Sequence, residues 1–142
     1  MTISAILQRK GRNVVSVEAQ ASVRDAISLL AEKRIGALPV IDGGAVVGVM
    51  SERDVVYCLR SDGPSMLDWP VSRVMTSPAI TVTPDVPVLG ALSQMSRRRI
   101  RHLPVLEGDE LIGIVSIGDL VQYRIDRVEN EAEAMRAYIS GS

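Results

Sequence analysis

Ser51 and Asp54 stand three residues apart behind an apolar run, and Ser116 and Asp119 repeat the arrangement. The spacing is that of a capping box, in which the two side chains bond each other's backbone N–H at a helix start, with Asp as a shorter variant of the usual Glu or Gln. A carboxylate in the first turn also complements the helix dipole, by about 0.3 to 1 kcal/mol. The same groups have a second capacity. An ionised carboxylate accepts hydrogen bonds from both hydroxyls of a ribose, and the helix N-terminus beside it offers unpaired N–H groups to a phosphate. Capping alone does not explain which pairs persist: Ser22 and Asp25 share the spacing but become Pro87 and Gly90 in the second copy of the repeat described below.

Cationic groups cluster in Arg97-Arg-Arg-Ile-Arg-His102. Arg97 and Arg98 read as a solvated helix end, where positive charge complements the dipole. His102 has no second histidine or cysteine pair beside it, so a metal site or a general base is not built around it. Cys58, the one cysteine, sits in the apolar run Val55-Val-Tyr-Cys-Leu59 and reads as a buried small hydrophobe. No nucleophile, base and orienting group can be drawn together, and neither Gly-x-x-x-x-Gly-Lys nor Gly-x-Gly-x-x-Gly occurs. Classical ATP hydrolysis is unsupported.

The elements that must position these residues come from a repeat. At an offset of 65, Val14 to Leu59 aligns without a gap to Ala79 to Arg124, with 14 of 46 positions identical, against roughly three expected from ordinary composition. Each copy opens on a β-type run, Val14 to Val17 or Ile80 to Val82, followed by apolar positions at helical spacing: Val23, Ala26, Ile27 and Leu30, or Val88, Ala91, Leu92 and Met95. Ala37 to Ile41 and Val46 to Met50, or His102 to Leu106 and Leu111 to Val115, then read as a hairpin-like pair around a Gly turn. A second helix starts after Ser51 or Ser116. Each copy is thus β-α-β-β-α, an α/β (α+β) unit whose apolar face is too large to cover alone, and two copies must pack together. The boundary is expected near residue 65, giving 1–65 with an N-terminal lead-in and 66–142 with a helical extension. That extension keeps its period through Leu120, Val121, Ile125, Val128, Ala132, Met135 and Ile139, which suits packing on its own domain or a face for a second subunit.

Composition bounds the function. The chain has 142 residues, 46% apolar and 23% charged, enough to fold as one domain or two halves sharing a core. A formal charge of −1 supplies no global field for phosphate backbones or an anionic membrane, so any anion site must be local. Aromatic residues make up 3%, leaving few rings for stacking on single-stranded nucleic acid. The uncharged run Val74 to Pro84 is 11 residues long and contains two prolines, short of a membrane span. The N-terminus places its positive charges after its short apolar stretch, the wrong order for a signal peptide, and a single cysteine closes no disulfide within the chain. A cytoplasmic protein is expected.

The apolar-Leu-Pro-Val stretch and Gly-apolar-apolar-Ser-x-x-Asp, present as Gly48-Val-Met-Ser-Glu-Arg-Asp54 and Gly113-Ile-Val-Ser-Ile-Gly-Asp119, resemble the cystathionine-β-synthase (CBS) domain family. The chain from about residue 6 to 125 is similar to a free-standing tandem pair, or Bateman module. The resemblance implies two halves packed with pseudo-twofold symmetry through their sheets, clefts that bind adenine nucleotides, and disc-shaped homodimers. It assigns the ribose contact to Asp54 and Asp119, phosphate or ribose contacts to Ser51 and Ser116, and phosphate contacts to basic residues just ahead of Leu-Pro-Val. Arg101 is then the first phosphate ligand and His102 the second, with Arg53 adding affinity to the first cleft.

An adenine needs an apolar slot, which Val14, Val15 and Ile35 would supply in one copy and Ala79, Ile80 and Ile100 in the other. Pro39 and Pro104, lacking an N–H, should interrupt strand pairing and leave an edge that receives the base. Because Gly36-Ala37 replaces Arg101-His102, the first cleft is expected to be short of cations. The function implied is non-enzymatic: AMP, ADP, ATP or NAD(H) binds between the halves and alters contact with a separate regulated protein. The alternatives are a dimerising scaffold with an empty cleft, or a nucleic-acid binder using Arg97 to Arg101 with Arg73.

Overall fold

The computed structural model describes residues 1–141. In chain order its elements are α1 (Ile3–Lys10), β1 (Val17–Glu18), α2 (Val23–Lys33), β2 (Ala37–Asp42), β3 (Ala45–Ser51), α3 (Glu52–Asp62), two 3-10 turns (Pro64–Asp68 and Val71–Arg73), α4 (Val88–Arg98), β4 (His102–Glu107), β5 (Glu110–Ser116) and α5 (Ile117–Gly141). The fold is mixed α+β, as the repeat predicts. Among the described residues no helix is long and apolar enough to cross a membrane.

The hairpins β2-β3 and β4-β5 are built alike. Leu38 pairs with Met50 and Leu103 with Val115, and both ladders slip by one residue, after Val40 and after Val105. Gly43 and Gly44 turn the first hairpin at φ 59° and 82°, a left-handed conformation that a side chain would resist. The leading strands are shorter than the Val14 to Val17 and Ile80 to Val82 runs suggest. Val17 and Glu18 pair in parallel with Val40 and Ile41. In the second copy only Val82 bridges, donating to the Pro104 carbonyl at 3.0 Å while its own carbonyl accepts from Leu106 at 2.9 Å. Val14 and Val15 lie before the ladder begins.

The two cores do not follow the chain order. Val17, Ala26, Leu30, Leu38, Val40 and Met50 form one cluster, and the buried residue that joins them from beyond residue 65 is Val71, with Val74 and Met75 packed alongside. Val82, Ala91, Met95, Leu103, Val115 and Leu120 form the other, completed by Ile3, Ile6 and Leu7 of α1. Each lead-in therefore caps the opposite copy. The exchange is fixed by backbone bonds: Ile3 and Ser4 donate to Val86 and Pro84 (both 2.9 Å), whereas Val71 and Ser72 donate to Ala21 and Ala19 (2.8 and 3.0 Å). A cut at residue 65 leaves each core without one of its apolar layers.

This crossing explains why both copies keep glycine in the second hairpin strand. A Cβ at Gly48 would lie 2.7 Å from the Met75 sulfur and 2.8 Å from the Thr76 carbonyl oxygen, and one at Gly113 would lie 2.7 Å from a Leu7 methyl. The lead-in of the other copy occupies the space a side chain would need.

Candidate functional site

A cavity of about 490 Å³ opens where the copies meet. Its volume is in the range of small-molecule sites. One side is the start of α3 with Ser51, Glu52, Arg53 and Asp54; the other is Ala79 and Ile80 of the linker with Ile100 and Arg101 ahead of β4 and His102 at its first position. The site is crosswise. The Ser-x-x-Asp of the first copy faces the apolar and cationic residues of the second, because Val71 to Met75 anchors the linker on the first core and so delivers residues 76–80 to α3. The first cleft is not short of cations, contrary to expectation from its own Gly36-Ala37: it takes Arg99 and Arg101 from the other copy.

Ser51 and Asp54 do cap α3. The Ser51 N–H and hydroxyl donate to Asp54 Oδ2 at 2.9 and 3.1 Å, and the Asp54 N–H donates to Ser51 Oγ at 3.2 Å. The second carboxylate oxygen is turned the other way, where Oδ1 accepts from the Thr76 hydroxyl at 3.1 Å. One oxygen thus closes the helix, and the other has lone-pair capacity left for a further donor. Capping and ligand contact are compatible.

His102 and Gly36 meet at the centre. A Cβ at Gly36 would lie 3.3 Å from His102 Cε1 and Nε2, so the small residues of the first copy make room for the ring of the second. Burial, and next the charge of Lys10, push the His102 pKa below its ordinary 6.5. The ring is neutral at pH 7 and offers a hydrogen bond rather than a charge to the cavity.

The second Ser-x-x-Asp is equally well formed as a cap, with the Ser116 N–H donating to Asp119 Oδ2 at 2.8 Å and the Asp119 N–H to Ser116 Oγ at 3.1 Å. It is not part of the cavity. By the same exchange α1 reaches it, and Lys10 Nζ donates to Asp119 Oδ2 at 2.7 Å and to the Ile114 carbonyl at 2.8 Å. Burial pushes the Asp119 carboxyl up, but the bonds from Lys10 and from the Ser116 backbone outweigh it and hold the group below the usual carboxylate range. Asp119 therefore lies outside the cavity that Arg101 lines, although both charges act on His102, and the carboxylates that share that cavity with Arg101 are Asp54 and Glu52.

A folded-state pKa below the unfolded one stabilises the fold above the unfolded value, and that stability is lost as pH falls through the folded value. Lys10→Ala should accordingly cost about 0.5 to 1 kcal/mol at neutral pH, as expected of a half-exposed pair. The cost should shrink towards zero once acid has protonated Asp119. Urea midpoints of both proteins from pH 7 down to about pH 2.5, below the ordinary carboxylate range, test this; a difference that is constant with pH would show that Lys10 acts through packing.

Other expected residues lie elsewhere. Ile35 and Val15 pack against the first core, outside the cavity lining. Val14 is half-buried and does not line it either. Pro39 and Pro104 do not open an edge: both are buried inside their ladders, paired with Val49 and Ile114, and a proline is tolerated in β4 because only its carbonyl is used, by Val82. Cys58 is only half-buried, since α3 buries none of its residues, and its thiol lies 3.6 Å from Asp62.

The arginine run divides. Arg99 and Arg101 line the cavity, Arg97 and Arg98 border a separate hollow with Gln94, and the Arg73 guanidinium stacks 3.5 Å over the Trp69 ring. Thr76 and Tyr57 are cavity residues that the repeat does not reveal. Thr76 lies outside the 46 aligned positions, and Tyr57 aligns with Gln122, so neither carries a signal of self-similarity. Among the described residues no group of three or more His, Cys, Asp and Glu could hold a metal ion.

Comparison with known proteins agrees with this architecture. The chain is 34% identical over 149 residues to the mitochondrial CBS domain-containing protein CBSX3 of Arabidopsis thaliana, covering 99% of this chain and 72% of that protein. A CBS-domain containing protein from Agrobacterium tumefaciens superposes with a TM-score of 0.84 at 36% identity, over 87% of this chain and 99% of the other. CBSX2, solved in complex with AMP, superposes with a TM-score of 0.72 at 28% identity, over 82% and 91% of the two chains. The CBS domain model matches twice, over residues 4–61 and 71–126. The two crossed copies are a pair of CBS domains, and the chain belongs to the CBS domain family.

Proposed function

We propose that the cavity binds an adenine nucleotide and that its occupancy regulates a separate protein. The observation that carries this reading is that Asp54, whose Oδ1 keeps accepting capacity beyond its bond from Thr76, shares a partly apolar cavity with Arg99 and Arg101. Ribose hydroxyls donate to Asp54, phosphate is gripped by the guanidiniums and the start of α3, and the base lies against Ala79, Ile80 and Ile100. The complex of CBSX2 with AMP supports the ligand class. AMP, ADP, ATP and NAD(H) all present this ribosyl phosphate. The module works without catalysis, as a homodimer in the cytoplasm, and the ligand acts by binding one arrangement of the two copies better than the other, since equal affinity would shift nothing.

Isothermal titration of ligand-stripped protein with AMP, ATP, NADH and S-adenosylmethionine tests the reading. Saturable binding of at least one adenylate is expected, weakened by about 10- to 100-fold in Arg101→Ala through loss of a charge-assisted hydrogen bond. No heat with any of the four would overturn it and favour a scaffold with an empty cleft.

A further inference from the structure

α5 is longer than its domain needs. Its 25 residues would reach about 37 Å at 1.5 Å per residue, yet Leu120 is its one buried side chain; the helix packs against α4, β5 and α1, and every residue from Arg127 to Gly141 is exposed. A helix of that length left in water gains little from propensity; helices are held mainly by burying an apolar stripe.

Such a stripe exists and is uncovered. Val121, Ile125, Val128, Ala132 and Met135 follow one another at alternating intervals of four and three residues, and the four larger side chains are 42%, 44%, 47% and 59% exposed. That alternation is the 3.5-residue period of a coiled-coil seam, with Ile125 and Ala132 at a positions and Val121, Val128 and Met135 at d positions. The flanking charges then select a partner. Arg124 and Glu131 fall at g, and Glu129 and Arg136 at e. In a parallel, in-register pair each g residue faces the e residue five positions on in the other helix, which sets Arg124 against Glu129 and Glu131 against Arg136, both attractive. An antiparallel pair centred on Val128 and Ala132 would instead set Glu129 against Glu129 and Glu131 against Glu131. The present contact of Glu131 with Arg127, at 4.0 Å between exposed groups, is weak enough to exchange.

We propose that α5 pairs with α5 of a second copy of this chain as a parallel, in-register two-stranded coiled coil. This deepens the homodimer reading above by naming its surface, and it is independent of the cavity's ligand.

The full chain should sediment as a dimer. Val128→Glu combined with Met135→Glu should make it a monomer at the same concentration with an unchanged melting transition of the body, as neither residue is buried. In a Cys58→Ser background, Met135→Cys should cross-link under mild oxidation, and Ala137→Cys, on the outer face, should not. Arg124→Glu should weaken the dimer and the double exchange Arg124→Glu, Glu129→Arg should restore it. A dimer that survives the two glutamates without a Met135→Cys cross-link would overturn this surface while leaving the homodimer reading intact. A monomeric parent chain would overturn both.

Discussion

Asp54→Ala should weaken adenylate binding by about 100-fold or more, while Asp119→Ala leaves the affinity within about twofold. The first figure follows from two ribose hydroxyls, each donating to an ionised carboxylate in a bond of about 1.5 to 3 kcal/mol, where 1.4 kcal/mol is a factor of ten. The comparison controls for folding. Both carboxylates close a capping box of the same design, so each substitution should lower stability by about 1 kcal/mol through loss of the cap. Asp119→Ala also strands Lys10. The proteins should therefore be similarly destabilised but differ sharply in binding, because only Asp54 turns an oxygen towards Thr76 and the cavity wall. Asp54→Asn refines the test: its amide oxygen can still accept from the Ser51 N–H, but it has lost the charge that strengthens the ribose bonds. Titration of the same adenylate into all three variants reads the outcome. Equal losses for Asp54→Ala and Asp119→Ala would mean that both Ser-x-x-Asp elements hold ligand, and the crosswise single cavity would be wrong.

That asymmetry was only half legible in the sequence. The repeat specified the elements, since Leu38 and Leu103, Val40 and Val105, and Ala26 and Ala91 are fully buried in both copies at matched places. It also brought out Arg101, His102 and Asp54 as candidates. What it did not reveal was their grouping. Aligning one copy on the other invites each Ser-x-x-Asp to be paired with the Leu-Pro-Val stretch of its own copy, and that put Arg101 beside Asp119.

The pairing is decided by segments that the repeat does not cover. Residues 3–10 and 71–78 lie outside the 46 aligned positions, and they carry the two residues that distinguish the sites: Lys10 on Asp119 and Thr76 on Asp54. Nothing in the local pattern of a short apolar lead-in says which core it will cover. Val71 packs on the first core and Leu7 on the second because each completes an apolar layer left open by its neighbour, and that is a property of the assembled pair. The early end of the strand at Val17 has the same character: Val14 and Val15 have the β propensity to continue it, but its pairing with β2 begins only at Val17.

Gly48→Ala should measure how far the exchange of lead-ins holds the molecule together. The new methyl would lie 2.8 Å from the Thr76 carbonyl oxygen, which itself accepts the Val49 N–H at 3.0 Å while the Thr76 N–H returns to Val49 at 2.9 Å. Backbone pinned by two reciprocal bonds cannot step aside without breaking them. The expected loss is about 3 kcal/mol, combining overpacking of about 1 to 3 kcal/mol with weakened hydrogen bonds of about 0.5 to 1.5 kcal/mol each. The lower entropy of the unfolded chain offsets about 0.4 to 1 kcal/mol of this.

Gly113→Ala offers the matched comparison. Its methyl meets only the end of the Leu7 side chain, which can change rotamer, so the loss should stay near 1 kcal/mol, at the low end of overpacking. Urea unfolding of both variants decides the matter. Equal losses would mean that the strand itself, and not the lead-in lying against it, sets the cost at this position. With the unequal losses expected, Gly48→Ala should also weaken adenylate binding, since the displaced Thr76 is the residue whose hydroxyl orients Asp54. Gly113→Ala, whose methyl meets only the Leu7 side chain and no residue of the cavity, should leave binding unchanged.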